Sequence, residues 1–244
     1  MQLGTETAHR PWPLPQSPWI MFQSWRNLLF AHWPVSGEVL RALVPAALEL
    51  DEFEGRTWVS LTPFLLTDLR ARGVPAIPRL SQFPEMNLRT YVRVGDRPGI
   101  FFFSLDAASL AAVMAARTMY RLPYRHAEMS IRTEADWIFY ESHRRDGQAD
   151  FVGRYRAKGA PFQSAPGTLE HFLVERYALY AVLYSGRVLR GQIHHGPWLL
   201  QAAEAVIERN TVGSASGIEL TGDPALLSFS ARQDTFIWPP EILS

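Results

Sequence analysis

The chain has 244 residues, 47% hydrophobic and 20% charged, and its 24 basic and 24 acidic side chains cancel. This composition excludes a disordered or fibrous chain, and a pI near 7.1 with no basic excess leaves no electrostatic footprint for DNA or RNA. Cysteine is absent, which removes disulfide frameworks, thiolate nucleophiles and Cys-ligated zinc.

Residues 1–18 read as a Pro-rich extended arm (Pro11, Pro13, Pro15, Pro18), pinned by Trp12 or Trp19, and residues 19–244 as a single domain. The arm lacks the charged-then-apolar pattern of a leader. No apolar run approaches the ~18 residues of a spanning helix, so a soluble, cytoplasmic chain without membrane contact is expected. Ile20–Trp33 is aromatic-rich and ends at Pro34, after which Ser36 caps a short helix to about Leu43. Glu54-Gly55 marks a turn between Leu48–Phe53 and Thr57–Leu66, which predicts a hairpin. Met86–Val94 alternates strictly, with Asn87, Arg89, Tyr91 and Arg93 on one face and Leu88, Thr90, Val92 and Val94 on the other. A Gly95–Gly99 turn leads into an apolar strand, Ile100–Leu105. Asp106 is then expected to cap a helix over Ala107–Tyr120, stopped by Pro123. Strands are predicted at 124–132, 136–143, 149–156, 177–184, 187–195 and Ala225–Trp238, with Thr168 capping a short helix before Arg176. This pattern is a β-rich α+β fold, a curled sheet or barrel with two or three helices.

The search for general motifs is negative. Lys158 precedes Gly159 and belongs to no phosphate loop, Gly213–Gly217 places Ala215 where a nucleophilic serine would stand, and no H-E-x-x-H occurs. Adjacent His194 and His195 point to opposite faces of a strand, so they suggest no metal site. What remains are polar residues set in apolar stretches: Glu85, Asn87 and Arg89 on one strand face; Tyr124, Arg125 and His126 after Pro123; Glu175, Arg176 and Tyr177; His194, His195 and Trp198.

These stretches carry a resemblance. WRNLLFAHWPV, FPEMNLRTYVR, GIFFFSLDA, ARTMYRLPYRHAEM, FLVERYALY and HHGPW, in this order over about residues 20–240, closely resemble the YqjF-like family, domain of unknown function 2071. That family is similar in fold to acetoacetate decarboxylase, which implies a cone-shaped β-barrel around a small-molecule cavity. The decarboxylases carry paired lysines after a proline and a glutamate on an earlier strand. Here Pro123 is followed by Tyr124 and Arg125, and Glu85 lies 39 residues before Tyr124. The resemblance therefore maps Glu85 onto the acidic position and Tyr124-Arg125 onto the lysine pair. Schiff-base catalysis needs an amine that can be neutral near pH 7, whereas arginine keeps its charge and tyrosine offers a phenol. Lys158 is the only lysine and falls in the polar stretch RAKGAP, expected as a solvated loop.

The expected activity is non-covalent acid–base chemistry on a small carboxylate or carbonyl compound. In this reading Glu85 exchanges a proton, Arg125 or Arg89 holds a carboxylate by a bidentate fork, and Tyr124 or His126 polarises a carbonyl. Asn87, Arg26, Glu175 and His194 complete the candidate ligand-binding set. Since neighbours on a strand alternate, Arg125 and the pair Tyr124/His126 cannot share a face, and Arg125 is preferred for its place just after Pro123. Glu85, Asn87 and Arg89 are expected inside the ring, with Leu88 and Val92 in a dry core as the excluded alternative. The competing readings are a non-catalytic ligand-binding module and a protein-interaction scaffold. No metal or cofactor is expected. A small anionic or carbonyl ligand is the expected partner, and self-association into a homo-oligomer is left open.

Overall fold

In a computed structural model of the chain, residues 6–77, 80–110, 113–114 and 121–243 are described. The strands are β1 (Met21–Val35), β2 (Glu49–Leu50), β3 (Thr57–Ala71), β4 (Phe83–Val94), β5 (Arg97–Ala107), β6 (Tyr124–Glu134), β7 (Trp137–Arg144), β8 (Asp150–Phe162), β9 (Ala178–Val182), β10 (Val188–His195), β11 (Leu200–Asn210), β12 (Leu226–Ile237) and β13 (Glu241–Ile242). Helices α1 (Gly37–Leu43) and α2 (Leu169–Val174) accompany them. Ser36 caps α1 and Thr168 caps α2, each through its side-chain oxygen. Among the described residues no helix is long and apolar enough to cross a membrane.

The strands form one 13-stranded sheet that closes on itself in two circuits. The first runs β12–β1–β3–β4–β5–β9–β10 and returns to β12 through Thr235–Ile237. The second leaves β5 through β6, β7, β8 and β11 and rejoins β12 at Ser228 and Phe229. β5 and β12 are the forks: β5 pairs in parallel with β9 at Ile100–Phe101 and with β6 at Leu105–Ala107. Strands β12, β1, β3, β4 and β5 therefore belong to both circuits and bury both faces. Leu28, Phe30, Phe64, Tyr91 and Phe102 pack into one core, and Leu29, Ala31, Leu61, Met86 and Leu88 into the other.

This geometry corrects several sequence expectations. Glu85/Asn87/Arg89 and Leu88/Val92 are not alternatives, because all five are buried on opposite faces of one doubly covered strand. The Glu54-Gly55 turn forms, with paired backbone bonds between Phe53 and Arg56, but β2 pairs with β4 and no hairpin to β3 results. Asp106 caps no helix. It lies in β5, 1% exposed, and its carboxylate takes the Arg144 Nε at 2.8 Å. Most of the helix expected over 107–120 lies outside the described residues. β11 was not expected at all, since its Ala- and Glu-rich sequence LQAAEAVIERN has weak strand propensity and is held by pairing with β8. The RAKGAP stretch belongs to the end of β8 rather than to a loop.

The arm lies against β10. Arg10 donates to Ile193 O at 2.7 Å, Trp12 Nε1 donates to Gln192 Oε1 at 3.1 Å, and both side chains are buried. β5 can approach β9 only because residue 99 lacks a side chain: a Cβ there would stand 2.6 Å from Tyr180 Cε2 and 2.7 Å from Ala178 O. Gly99→Ala should cost about 2–3 kcal/mol in urea unfolding. Gly196→Ala, where nothing lies within 4 Å, should stay within about 0.5 kcal/mol. Equal stability of the two variants would refute the assigned β5–β9 junction.

Candidate functional site

The first circuit encloses a cavity of about 200 Å³, room for about seven waters at liquid density. Its wall is mostly aromatic and aliphatic, with Trp25, Phe30, Phe64, Phe102 and Trp198 prominent, and β4 contributes three of its polar groups. Strand alternation puts Glu85, Asn87 and Arg89 on the cavity face of β4, at 5, 7 and 8% exposure. Tyr124, at the start of β6, reaches the same cavity, with its hydroxyl 3.2 and 3.3 Å from the two Glu85 carboxyl oxygens. From the second core Tyr140 donates to Glu85 O at 2.8 Å and fixes the backbone under the carboxyl group. Asn87 Oδ1 accepts from Thr62 Oγ1, which orients its amide.

Burial pushes the Glu85 carboxyl up to about 8, against the smaller opposing effect of the Tyr124 hydrogen bond. The group is therefore a neutral acid at pH 7. Arg89 lies nearby in an unusual state. Its Nη2 donates to Leu173 O at 3.3 Å, its Cζ sits 5.4 Å from the Phe30 ring centroid, and its Nε has no hydrogen-bond partner among the described residues. Among those residues it forms no ion pair either.

Arg176, the other cavity guanidinium, is fully neutralised. It pairs with Asp51 at 2.5 Å and donates through Nε to Phe172 O at 2.6 Å. The last turn of α2 thus offers the carbonyls of Phe172 and Leu173 to the two arginines, as helix C-termini favour cations. His195 completes the wall, with Nδ1 2.7 Å from Gly196 O and its ring stacked 4.6 Å from Tyr177. Burial lowers its pKa, more than the Glu175 charge and the carbonyl partners raise it, and so keeps it neutral. His32, behind Arg89, is also held neutral by burial and bonds Ser60 through Nδ1.

Of the sequence candidates, Glu85, Asn87, Arg89 and Tyr124 come together in the cavity. The others do not. Arg125 is exposed on the outer face of β6, where it borders a separate crevice with Arg144, so the preference for Arg125 over Tyr124 is reversed. His126 is half-buried and pairs in register with Ala107, away from the lining. Arg26 is half-exposed and donates to Thr67 Oγ1 at 3.2 Å. Glu175 lies behind the wall, accepting the Trp198 N–H at 2.9 Å and the Tyr177 hydroxyl. His194 faces the arm, 3.3 Å from Arg10 Nη1. The cavity histidine is His195. Sequence reasoning singled out Arg176, His195 and Trp198 but did not carry them into the ligand-binding set, and it did not single out Trp25, although the opposite orientation of the two histidines was itself legible.

The match to the family DUF2071, described as an uncharacterized conserved protein, spans residues 22–234. This chain belongs to that family. It is 49% identical over 227 residues to the uncharacterized protein YqjF of Bacillus subtilis (strain 168), covering 93% of each chain. Solved structures show the fold beyond the family. Acetoacetate decarboxylase from Legionella pneumophila superposes with a TM-score of 0.65 at 13% identity over 100% of this chain and 98% of its own. The enduracididine biosynthesis enzyme MppR also gives 0.65, at 10% identity over 94 and 89%. An acetoacetate decarboxylase-like enzyme from Sphingomonas wittichii gives 0.64, at 15% identity over 98% of each chain. The family fold is therefore that of the acetoacetate decarboxylase-like proteins, β-rich with few helices.

The raised Glu85 pKa sets a stability test. The folded state keeps this proton up to about pH 8, whereas the unfolded carboxyl loses it near 4.5. Between these values the native state binds more protons, so stability falls as pH rises, with a slope of up to about 1.4 kcal/mol per pH unit. Glu85→Gln should flatten the slope over this window in urea unfolding from pH 5 to 8. An unchanged slope would show that Glu85 is ionised in the folded protein.

Proposed function

We propose that this chain binds a small carboxylate or carbonyl compound in the β4 cavity and acts on it by non-covalent acid–base chemistry. The observation that carries the reading is Arg89, a buried guanidinium without a counter-ion among the described residues, beside an acid that is neutral at pH 7. Leaving a buried charge unpaired is costly, and a carboxylate seated on the guanidinium removes that cost. Glu85 then serves as proton donor to a developing oxyanion or carbanion, and its carboxylate form as the base in the reverse direction. Tyr124 holds the Glu85 carboxyl in place. At strand rise, Glu85 and Arg89 stand about 13 Å apart at Cα, and both side chains line the same cavity. MppR complexed with pyruvate supports the choice of a small oxo acid as first probe.

A Schiff base forms no part of this proposal. Lys158 sits on β8, 55% exposed and 3.1 Å from Glu204, and does not line the cavity. Burial, not a neighbouring cation, sets the state of Glu85, and no amine adjoins it. The same cavity binding its ligand without turnover is the second reading, favoured by the apolar wall.

Calorimetry with pyruvate and acetoacetate tests binding. Arg89→Gln should weaken it by about 2–4 kcal/mol, while outward-facing Arg125→Ala should leave it unchanged. Glu85→Gln should retain binding and abolish turnover of any acid that is consumed, and wild-type turnover should decline above about pH 8. Borohydride with acetoacetate should trap no stoichiometric adduct. Equal affinity of wild type and Arg89→Gln sinks the proposal, and specific trapping on Lys158 returns the chain to amine catalysis.

A further inference from the structure

The cavity wall holds more unpartnered donors than Arg89. Trp25 and Trp198 both line it, their rings stacked at 5.8 Å and 16°, and the Nε1 of each is buried with no hydrogen-bond partner among the described residues. Trp198 is 2% exposed, and its backbone N–H is tied to Glu175 Oε1, which holds the indole in place. Phe30 links this pair to the guanidinium, lying edge-on to Trp198 at 4.9 Å and under Arg89 Cζ at 5.4 Å. Phe64 adjoins Trp25 at 6.0 Å and pairs across the strand with Glu85.

The unmet polar atoms on this wall are therefore all N–H groups. An indole N–H donates and cannot accept, and guanidinium likewise. Among the described residues, the fully buried side-chain atoms of the lining that lack a partner are Arg89 Nε, Trp25 Nε1 and Trp198 Nε1. The charge count points the same way: Arg176 is matched by Asp51, Glu85 and His195 are neutral, and Arg89 alone is uncompensated. The complement of such a wall carries one negative charge, a further oxygen acceptor and an apolar skeleton.

We infer that Trp25 and Trp198 are specificity-determining residues that take a second oxygen of the ligand, which is a singly charged carboxylate with an apolar body and a carbonyl or ether oxygen apart from the carboxyl group. This rests on the Arg89 reading and narrows it. Dicarboxylates bring a charge that nothing in the cavity matches, amines bring donors to a wall of donors, and plain fatty acids leave the indoles unpaired. A site built to bond an oxygen discriminates against the analogue that lacks it.

The test is a calorimetric series at pH 7 with 4-oxopentanoate, pentanoate and glutarate, on wild type, Trp25→Phe, Trp198→Phe, the double variant and Arg89→Gln. Wild type should bind 4-oxopentanoate about tenfold more tightly than pentanoate, and glutarate more weakly than either. The double phenylalanine variant should bring the affinities for the first two within twofold of each other. Arg89→Gln should weaken all three. In wild-type protein, which needs no variant to fold, the 15N-edited indole resonance of Trp25 or Trp198 should move downfield with 4-oxopentanoate and not with pentanoate. If the acids bind through Arg89 but neither the ratio nor the indole resonances respond, the tryptophan inference fails and the Arg89 reading stands. If none of the acids binds wild type, both fail.

Discussion

Sharing strands β12, β1, β3, β4 and β5 between two closed circuits covers both faces of their central stretches. A strand of a single ring can send alternate side chains to solvent, but β4 has Met86 and Leu88 in one core and Glu85, Asn87 and Arg89 toward the other. Every polar group placed there must be neutral or find a partner. Asn87 has Thr62, Glu85 keeps its proton and has Tyr124, and Arg176 has Asp51. Arg89 is the group for which the fold supplies only a carbonyl. A side chain left in that condition by a scaffold that satisfies its neighbours is where binding energy is available.

The two cores are mechanically linked at this point. Tyr140, in the second core, grips the backbone carbonyls of Glu85 and Phe64 across β4 and β3, and burial raises its own pKa well above the ordinary phenol. Burial thus favours its neutral, hydrogen-bond-donating form. The cavity floor is thus positioned by a residue that never touches the cavity, and the short helix α2 positions the opposite side through the carbonyls that receive Arg89 and Arg176. Supports on both sides fix the relative placement of Glu85 and Arg89, as the proposed chemistry requires.

Legibility in the sequence followed the range of the interactions. Local signals were readable: the Ser36 and Thr168 caps, the β6–β7–β8 meander and the alternation of β4 all rest on neighbours in the chain. Glu85, Asn87 and Arg89 were placed together by periodicity alone. What needed the fold was long-range. Asp106 reads as a helix cap until Arg144, 38 residues later, is brought to it. β11 has poor strand propensity and exists through its pairing partners. Arg125 and Tyr124 differ only in which face of β6 meets β4, and no local pattern decides that face. The indoles of Trp25 and Trp198 meet across 173 positions of sequence, so the stacked pair could not be foreseen from either stretch.

The same reasoning bears on the acid–base chemistry proposed for this cavity. A lysine beside Glu85 would present a cation that favours the carboxylate, in a site where the two exchange charge. Tyr124 presents a neutral phenol instead, whose hydrogen bond opposes the rise in the Glu85 pKa without reversing it. The acid thus remains protonated, and the positive charge of the cavity resides wholly on arginines, which cannot lose it. In the proposed reading, a fixed cation attracts a carboxylate and a neighbouring acid can release a proton. The closed sheet supplies a mostly apolar cavity wall. Which proton chemistry the cavity can support is set by the one or two side chains that face Glu85.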